Sequence, residues 1–213
     1  MEERGISEKT KQNLELLAKT HFIGQFYLAG GTACGLYFGH RISYDLDFFS
    51  ERKFNAQKIR DELEKMGELK IDIIDENTFL GFLNKVKISF FYYKYPLIGE
   101  TQVYRGVRIV SKKDLQAMKI DALQSRGTKR DFIDLYTILQ ADNYSIKNAL
   151  DNFKEKYQKA NYNMEHILMS LVYFEDADRD NRLNMLVSYD WEKIKNYFIE
   201  DVKAYEKNRL KID

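Results

Sequence analysis

Leu28-Ala29-Gly30-Gly31-Thr32-Ala33, followed by Tyr44-Asp45-Leu46-Asp47-Phe48-Phe49, decides the fold of this chain. The first stretch predicts a short strand that turns at paired glycines into a helix. The second predicts a strand. Alternation along a strand sends neighbouring side chains to opposite faces, so Asp45 and Asp47 share one face while Leu46 and Phe48 point into a core. Acids are disfavoured in strands, and two on one face repel unless a cation sits between them. Mg²⁺ suits such a pair, because it takes carboxylate oxygens at about 2.0–2.1 Å and fills its remaining positions with water and substrate phosphates. A glycine turn at a helix start can offer backbone N–H groups to those phosphates. Together the two stretches describe a site for a metal-bound nucleoside triphosphate.

Outward from this point, residues 7–20 carry an amphipathic helical pattern, residues 26–28 a short strand and 32–38 a short helix. The carboxylate strand spans 45–49. Residues 55–66 predict a helix with Asn55 as its cap and Gly67 just past its end. Runs rich in β-branched and aromatic residues follow at 69–74, 78–83 and 86–93, with a further short strand at 107–110. Pro96, the only proline, closes the main sheet region. Ser111, with Asp114 three residues on, resembles a helix start, and helical patterns dominate from there. The expected fold class is α+β: a small mixed sheet flanked by helices, then a helical C-terminal half. The expected division is 1–110 for the sheet-bearing core and 111–213 for the helical region.

With 213 residues, 44% hydrophobic and 14% aromatic, the chain can bury a sizeable core. A net charge of +1 argues against coating of nucleic acid by bulk electrostatics, while leaving room for a local basic patch. The single cysteine, Cys34, excludes an intramolecular disulfide and fits a small buried position in the helix after the glycines. The charged start Met1-Glu2-Glu3-Arg4 has no apolar stretch behind it, and no run approaches a membrane span. A cytoplasmic protein without membrane contact is expected.

The order of the glycine pair, then Gly39-His40-Arg41-Ile42-Ser43-Tyr44-Asp45-Leu46-Asp47-Phe48, resembles the nucleotidyltransferase fold of the DNA polymerase β superfamily. More narrowly it resembles the AbiEii-type family, with toxins of bacterial toxin–antitoxin and phage-defence systems among its members. Ser111-Lys112-Lys113-Asp114-Leu115-Gln116-Ala117-Met118-Lys119 is similar to that family's lysine motif, and Arg130-Asp131-Phe132-Ile133-Asp134-Leu135-Tyr136 to its following aspartate motif. Tyr173-Phe174-Glu175-Asp176-Ala177 and Trp191 resemble C-terminal features of the family. Polymerase-β-like enzymes carry a third carboxylate on a neighbouring strand; here that strand is Lys85-Val86-Lys87-Ile88-Ser89-Phe90-Phe91, and Ser89 stands in the acid's place.

The resemblance implies transfer of a nucleotide monophosphate from a nucleoside triphosphate to an acceptor hydroxyl, with tRNA as acceptor, growth inhibition as outcome and a cognate antitoxin acting on expression. Asp45 and Asp47 would hold Mg²⁺ or Mn²⁺. Gly30, Gly31 and Thr32 would cradle phosphates, though the Thr32 hydroxyl could equally cap the helix. Arg41 could hold a phosphate or the acceptor, or simply brace its loop. Lys119 sits in an apolar helix and could snorkel to solvent; the motif gives it a triphosphate-binding role, in which its removal costs nucleotide affinity rather than stability. Asp131 and Asp134, one helical turn apart, would replace the missing acid, against the plainer alternative that acids favour a helix N-terminus. Two other functions stay open: a small-molecule, antibiotic-type nucleotidyltransferase, or a catalytically weak nucleotide-binding protein.

Overall fold

The computed structural model describes residues 1–180 and 183–209. They divide into two compact units, Met1–Ser111 and Lys112–Asp213.

The first unit is built on one seven-stranded sheet. After a 3-10 turn (Glu3–Gly5) come α1 (Glu8–Ala18), β1 (Tyr27–Leu28), α2 (Gly30–Phe38), β2 (Leu46–Ser50) and α3 (Ala56–Glu64). Then follow β3 (Leu69–Asp75), β4 (Thr78–Leu83), β5 (Val86–Tyr92), β6 (Gln102–Tyr104) and β7 (Val107–Ile109). The strand order is β3-β4-β5-β2-β1-β7-β6. β2 runs parallel to β5 and β1 parallel to β7; the other pairs are antiparallel. The sheet is therefore mixed, as the sequence predicts, and its central strands β1 and β2 lead into the glycine pair and carry Asp47.

Local chemistry sets the element ends. Ser7 and Asn55 cap α1 and α3 by accepting backbone N–H bonds in their first turns. Leu46, Phe48, Ile88, Phe90 and Phe79 are fully buried on one face of the sheet. There Phe90 stacks on Phe48 at 5.0 Å and meets Phe26 edge-on at 4.9 Å. α3 packs against β3 and β4 with Ile59 and Leu63 inward. β6 is the strand the sequence reading omits: it is three residues long and mostly exposed, so it carries almost no apolar periodicity.

The backbones at Gly5 and Gly35 meet directly. A Cβ on Gly5 would stand 2.0 Å from the carbonyl oxygen of Gly35, and one on Gly35 would stand 2.3 Å from that of Gly5. The N-terminal turn thus lies directly on α2. Ser43 N–H donates to Gly5 C=O at 2.9 Å and Ser7 N–H to Ser43 C=O at 3.2 Å, which fastens the loop leading to Asp45. Gly35→Ala is expected to destabilise the protein by about 1–3 kcal/mol through overpacking, read as a lower thermal midpoint; an unchanged midpoint would refute the tight crossing.

The second unit contains α4 (Lys112–Ser125), α5 (Lys129–Ala141), α6 (Ile146–Lys156), α7 (Met164–Ser170), α8 (Glu175–Arg179) and α9 (Trp191–Arg209). Phe132 of α5 is its aromatic centre, with Phe174, Trp191 and Phe198 at ring distances of 5.0, 5.9 and 5.2 Å. Between α4 and α6, Lys156 donates to Asp114 at 2.7 Å, both side chains fully buried. No described helix is long and apolar enough to cross a membrane.

Candidate active site

Gly30 and Gly31 are the first two residues of α2, not a turn before it. Gly30 has a φ of 66°, a conformation that favours glycine. A Cβ there would lie 2.9 Å from Oδ2 of Asp47. The Asp47 carboxylate therefore sits against the N-terminus of α2. The backbone enforces this approach, because Ala29 N–H donates to Asp47 C=O at 3.0 Å and Leu28 pairs with Phe48. A Cβ on Gly31 would stand 2.5 Å from Nη2 of Arg41 and 3.1 Å from Oγ of Ser43. The buried Arg41 guanidinium and the positive end of the α2 dipole thus converge beside the carboxylate.

Asp45 precedes β2 by one residue, so it stands at the strand's mouth rather than within it. Thr32 is buried, and its hydroxyl contacts the Asp45 carbonyl and lies 2.9 Å from Ser43 Oγ. It ties the start of α2 to the backbone of the first carboxylate. The signal for Ser43 lay in the Gly-His-Arg-x-Ser run, but only the folded loop shows its partner.

Ser89 pairs in register with Asp47 across the parallel β2–β5 ladder. Register partners on neighbouring strands project to the same face, so Ser89 lies beside Asp47 on the carboxylate face. It is 2% exposed. A third carboxylate introduced there would be buried next to an existing one. Ser89→Asp is expected to lower the thermal midpoint in chelator, because like charges raise each other's pKa and burial penalises both, and to recover it in Mg²⁺ or Mn²⁺. Equal midpoints with and without metal would show that the site does not gather cations.

Lys119, Asp131 and Asp134 come together in the helical unit. Lys119 Nζ is 2.9 Å from Asp131 Oδ1 and 2.5 Å from Asp134 Oδ2. Lys119 is 3% exposed, and both carboxylates are fully buried. Arg126 Nε donates to Asp131 at 2.8 Å, and Thr128 Oγ1 donates to it at 2.5 Å. Burial pushes the Asp131 carboxyl up, but the Lys119 charge and the bonds from Arg126 and Thr128 outweigh it and hold that carboxyl well below the usual range. The expected alignment of Asp131 and Asp134 on one side of their helix is what the structure shows. The expectation that Lys119 can be removed at no cost to the fold is corrected: its ammonium is buried between two carboxylates, not snorkelling. Arg126 and Thr128 escape a sequence reading because nothing in their spacing marks them as partners of Asp131.

Among the described residues, no group of three or more His, Cys, Asp or Glu side chains is placed to hold a metal ion. The candidate donors in the first unit are the Asp45 and Asp47 carboxylates with the Ser89 hydroxyl beside them. Two carboxylates next to a phosphate-accepting helix N-terminus fit Mg²⁺, which completes its shell from substrate phosphates.

Residues 14–98 and 70–209 match the family described as "Nucleotidyl transferase AbiEii toxin, Type IV TA system". The chain belongs to the AbiEii nucleotidyltransferase toxin family. A protein of Aquifex aeolicus described as "Uncharacterized protein aq_aa25" is 33% identical over 209 residues, covering 96% of this chain and all of that one. Among solved structures, MenT4, the nucleotidyltransferase toxin Rv2826c from Mycobacterium tuberculosis H37Rv, aligns with a TM-score of 0.52 at 14% identity, over 84% of this chain and 75% of that one. JHP933 from Helicobacter pylori aligns with a TM-score of 0.50 at 18% identity, over 97% of each chain. These two show the fold. The AbiEii family places the chain among nucleotidyltransferases of toxin–antitoxin systems.

Proposed function

We propose that this AbiEii-family chain transfers a nucleotide monophosphate from a nucleoside triphosphate to a hydroxyl of tRNA, with Asp45, Asp47 and the N-terminus of α2 as its nucleotide site. The observation that carries this reading is the approach of the Asp47 carboxylate to Gly30, where Oδ2 lies 2.9 Å from the place a Cβ would take. It sets a cation ligand against a phosphate cradle.

Asp45 and Asp47 would hold Mg²⁺ or Mn²⁺, which neutralises triphosphate charge and polarises the α-phosphate when bound. The backbone N–H groups of Gly31 and Thr32 and the Arg41 guanidinium bind the β- and γ-phosphates. Thr32 contributes through its backbone, since its hydroxyl holds the Asp45 loop. The acceptor oxygen bonds to the α-phosphorus as the bond to the β-phosphate bridging oxygen breaks, pyrophosphate leaves, and the proton of the acceptor hydroxyl passes to solvent water. Ser89 can orient the acceptor hydroxyl but cannot keep its proton. Phosphoryl transfer tolerates this, because its catalysis is mostly positioning and charge neutralisation. Asp131 is a poor base, its carboxyl held low by Lys119 and Arg126. We assign Lys119, Asp131 and Asp134 to positioning α4 and α5.

The test incubates the protein with each radiolabelled nucleoside triphosphate, Mg²⁺ and total RNA. Label is expected in the tRNA fraction, dependent on Mg²⁺. Label on a small hydroxyl compound with RNA untouched would favour an antibiotic-type transferase. Nucleotide binding without turnover would leave a binding protein. The toxin reading further expects growth arrest on expression, relieved by a cognate antitoxin that acts on its expression.

A further inference from the structure

The carboxylate face of the sheet does not end at Asp47. Register carries it outward across β5, β4 and β3. Beside Asp47 and Ser89 the next partners are Leu80 and Ile73. One row below, Lys87 pairs with Phe82 and Phe82 with Lys70. All these positions share the carboxylate face. The opposite face of β3 and β4 is covered by α3.

This outer region is open. Lys85 and Lys87 are exposed, the Lys70 side chain is 75% exposed, and Ile73 is 50% exposed. Lys70 Nζ lies 5.5 Å above the Phe82 ring. Glu68, Lys70, Phe82 and Lys85 line a shallow depression of about 310 Å³. Lys85 sits in the tight β4–β5 turn, where Asn84 and Lys85 both have positive φ, so its backbone is fixed. Among the described residues neither Lys85 nor Lys87 forms an ion pair. Two acids share the area: Glu68 at the rim, and Asp72, which reaches Lys70 only at a long 3.7 Å. Such an exposed pair holds its lysine weakly.

Three lysines around an aromatic ring, contiguous with the carboxylates, match what a single-stranded polynucleotide needs: cations for the backbone and a ring for a base. The charge favours this occupant over a protein partner, which would meet unpaired lysines at the centre of its interface. The loss of the third acid adds to the match, since Ser89 leaves the lane between Asp47 and the lysines without a repelling charge.

We propose that the acceptor RNA leaves the site over β5, β4 and β3, with its phosphates on Lys85 and Lys87 and a base stacked on Phe82. The three strand spacings from β2 to β3 span about 14 Å. The proposal rests on RNA being the acceptor.

The test measures binding of a 5′-fluorescein single-stranded RNA by anisotropy across a salt series, and nucleoside triphosphate binding by calorimetry. The Lys85→Gln/Lys87→Gln variant is expected to bind RNA more weakly, with a salt slope lower by about 0.7 for each lysine removed. Phe82→Leu is expected to weaken RNA about tenfold at every salt concentration, as loss of a stacking platform does. Triphosphate affinity should match the parent in both. If the parent binds and labels RNA while the variants equal it, the lane is overturned and the transfer reading stands. If triphosphate affinity falls in step with RNA affinity, the lane is also overturned, because the substitutions then act through the nucleotide site. If the parent neither binds nor labels RNA, both are overturned.

Discussion

The Asp45→Asn/Asp47→Asn variant is expected to lose nucleotidyl transfer by about a thousandfold or more while remaining folded. The two carboxylates are the cation donors of the first unit, and charge neutralisation at the phosphates supplies several kcal/mol of transition-state stabilisation. Losing about 4 kcal/mol corresponds to about three powers of ten. The fold should tolerate the change, because both side chains are only partly buried and removing two like charges relieves repulsion. Calorimetry should show that Mg²⁺ strengthens triphosphate binding to the parent and no longer does so in the variant. An equal Mg²⁺ effect in both proteins would sink the assignment of these residues.

Lys119→Ala is expected to have the largest effect on stability. Removing one partner of a buried ionic cluster strands the others, at a cost of about 3–5 kcal/mol. Here the lost ammonium lies 2.9 and 2.5 Å from two fully buried carboxylates, of which Asp131 keeps Arg126 and Thr128 as partners. Denaturant titration should show a large fall in midpoint. Neutralising the carboxylates in the same protein (Lys119→Met with Asp131→Asn and Asp134→Asn) should recover most of it, because no unpaired charge is then buried. If Lys119→Ala were as stable as the parent, the triad would have no structural role. The pH dependence follows from Asp131. Its folded carboxyl titrates below the usual range, whereas the unfolded one titrates at about 3.9, as a free aspartate does. The folded state therefore binds fewer protons, and the group's stabilisation is present above about pH 4 and is lost as pH falls toward the depressed folded value. Asp131→Asn should flatten the acid limb of the stability curve; an unchanged limb would contradict the low carboxyl.

Much of this protein was legible along the chain. Leu46 and Phe48 against Asp45 and Asp47 announced a strand with a buried face and a charged face, since a period of two is a local property of extended backbone. Asn55 announces a helix start, since a cap bonds within its own first turn. The glycine pair, the Asp-x-Asp stretch and the two later motifs were enough to suggest the family. What the chain could not show depends on partners distant in sequence. Gly5 and Gly35 are informative only when their backbones cross. Thr32 could be a phosphate ligand or a cap until its hydroxyl met the Asp45 carbonyl. Lys119 looked like a snorkelling or phosphate-facing cation until α5 brought Asp131 and Asp134 against it. Local pattern reports which way a side chain points; the energy of a buried charge is set by the groups that surround it, and only the tertiary structure assembles them.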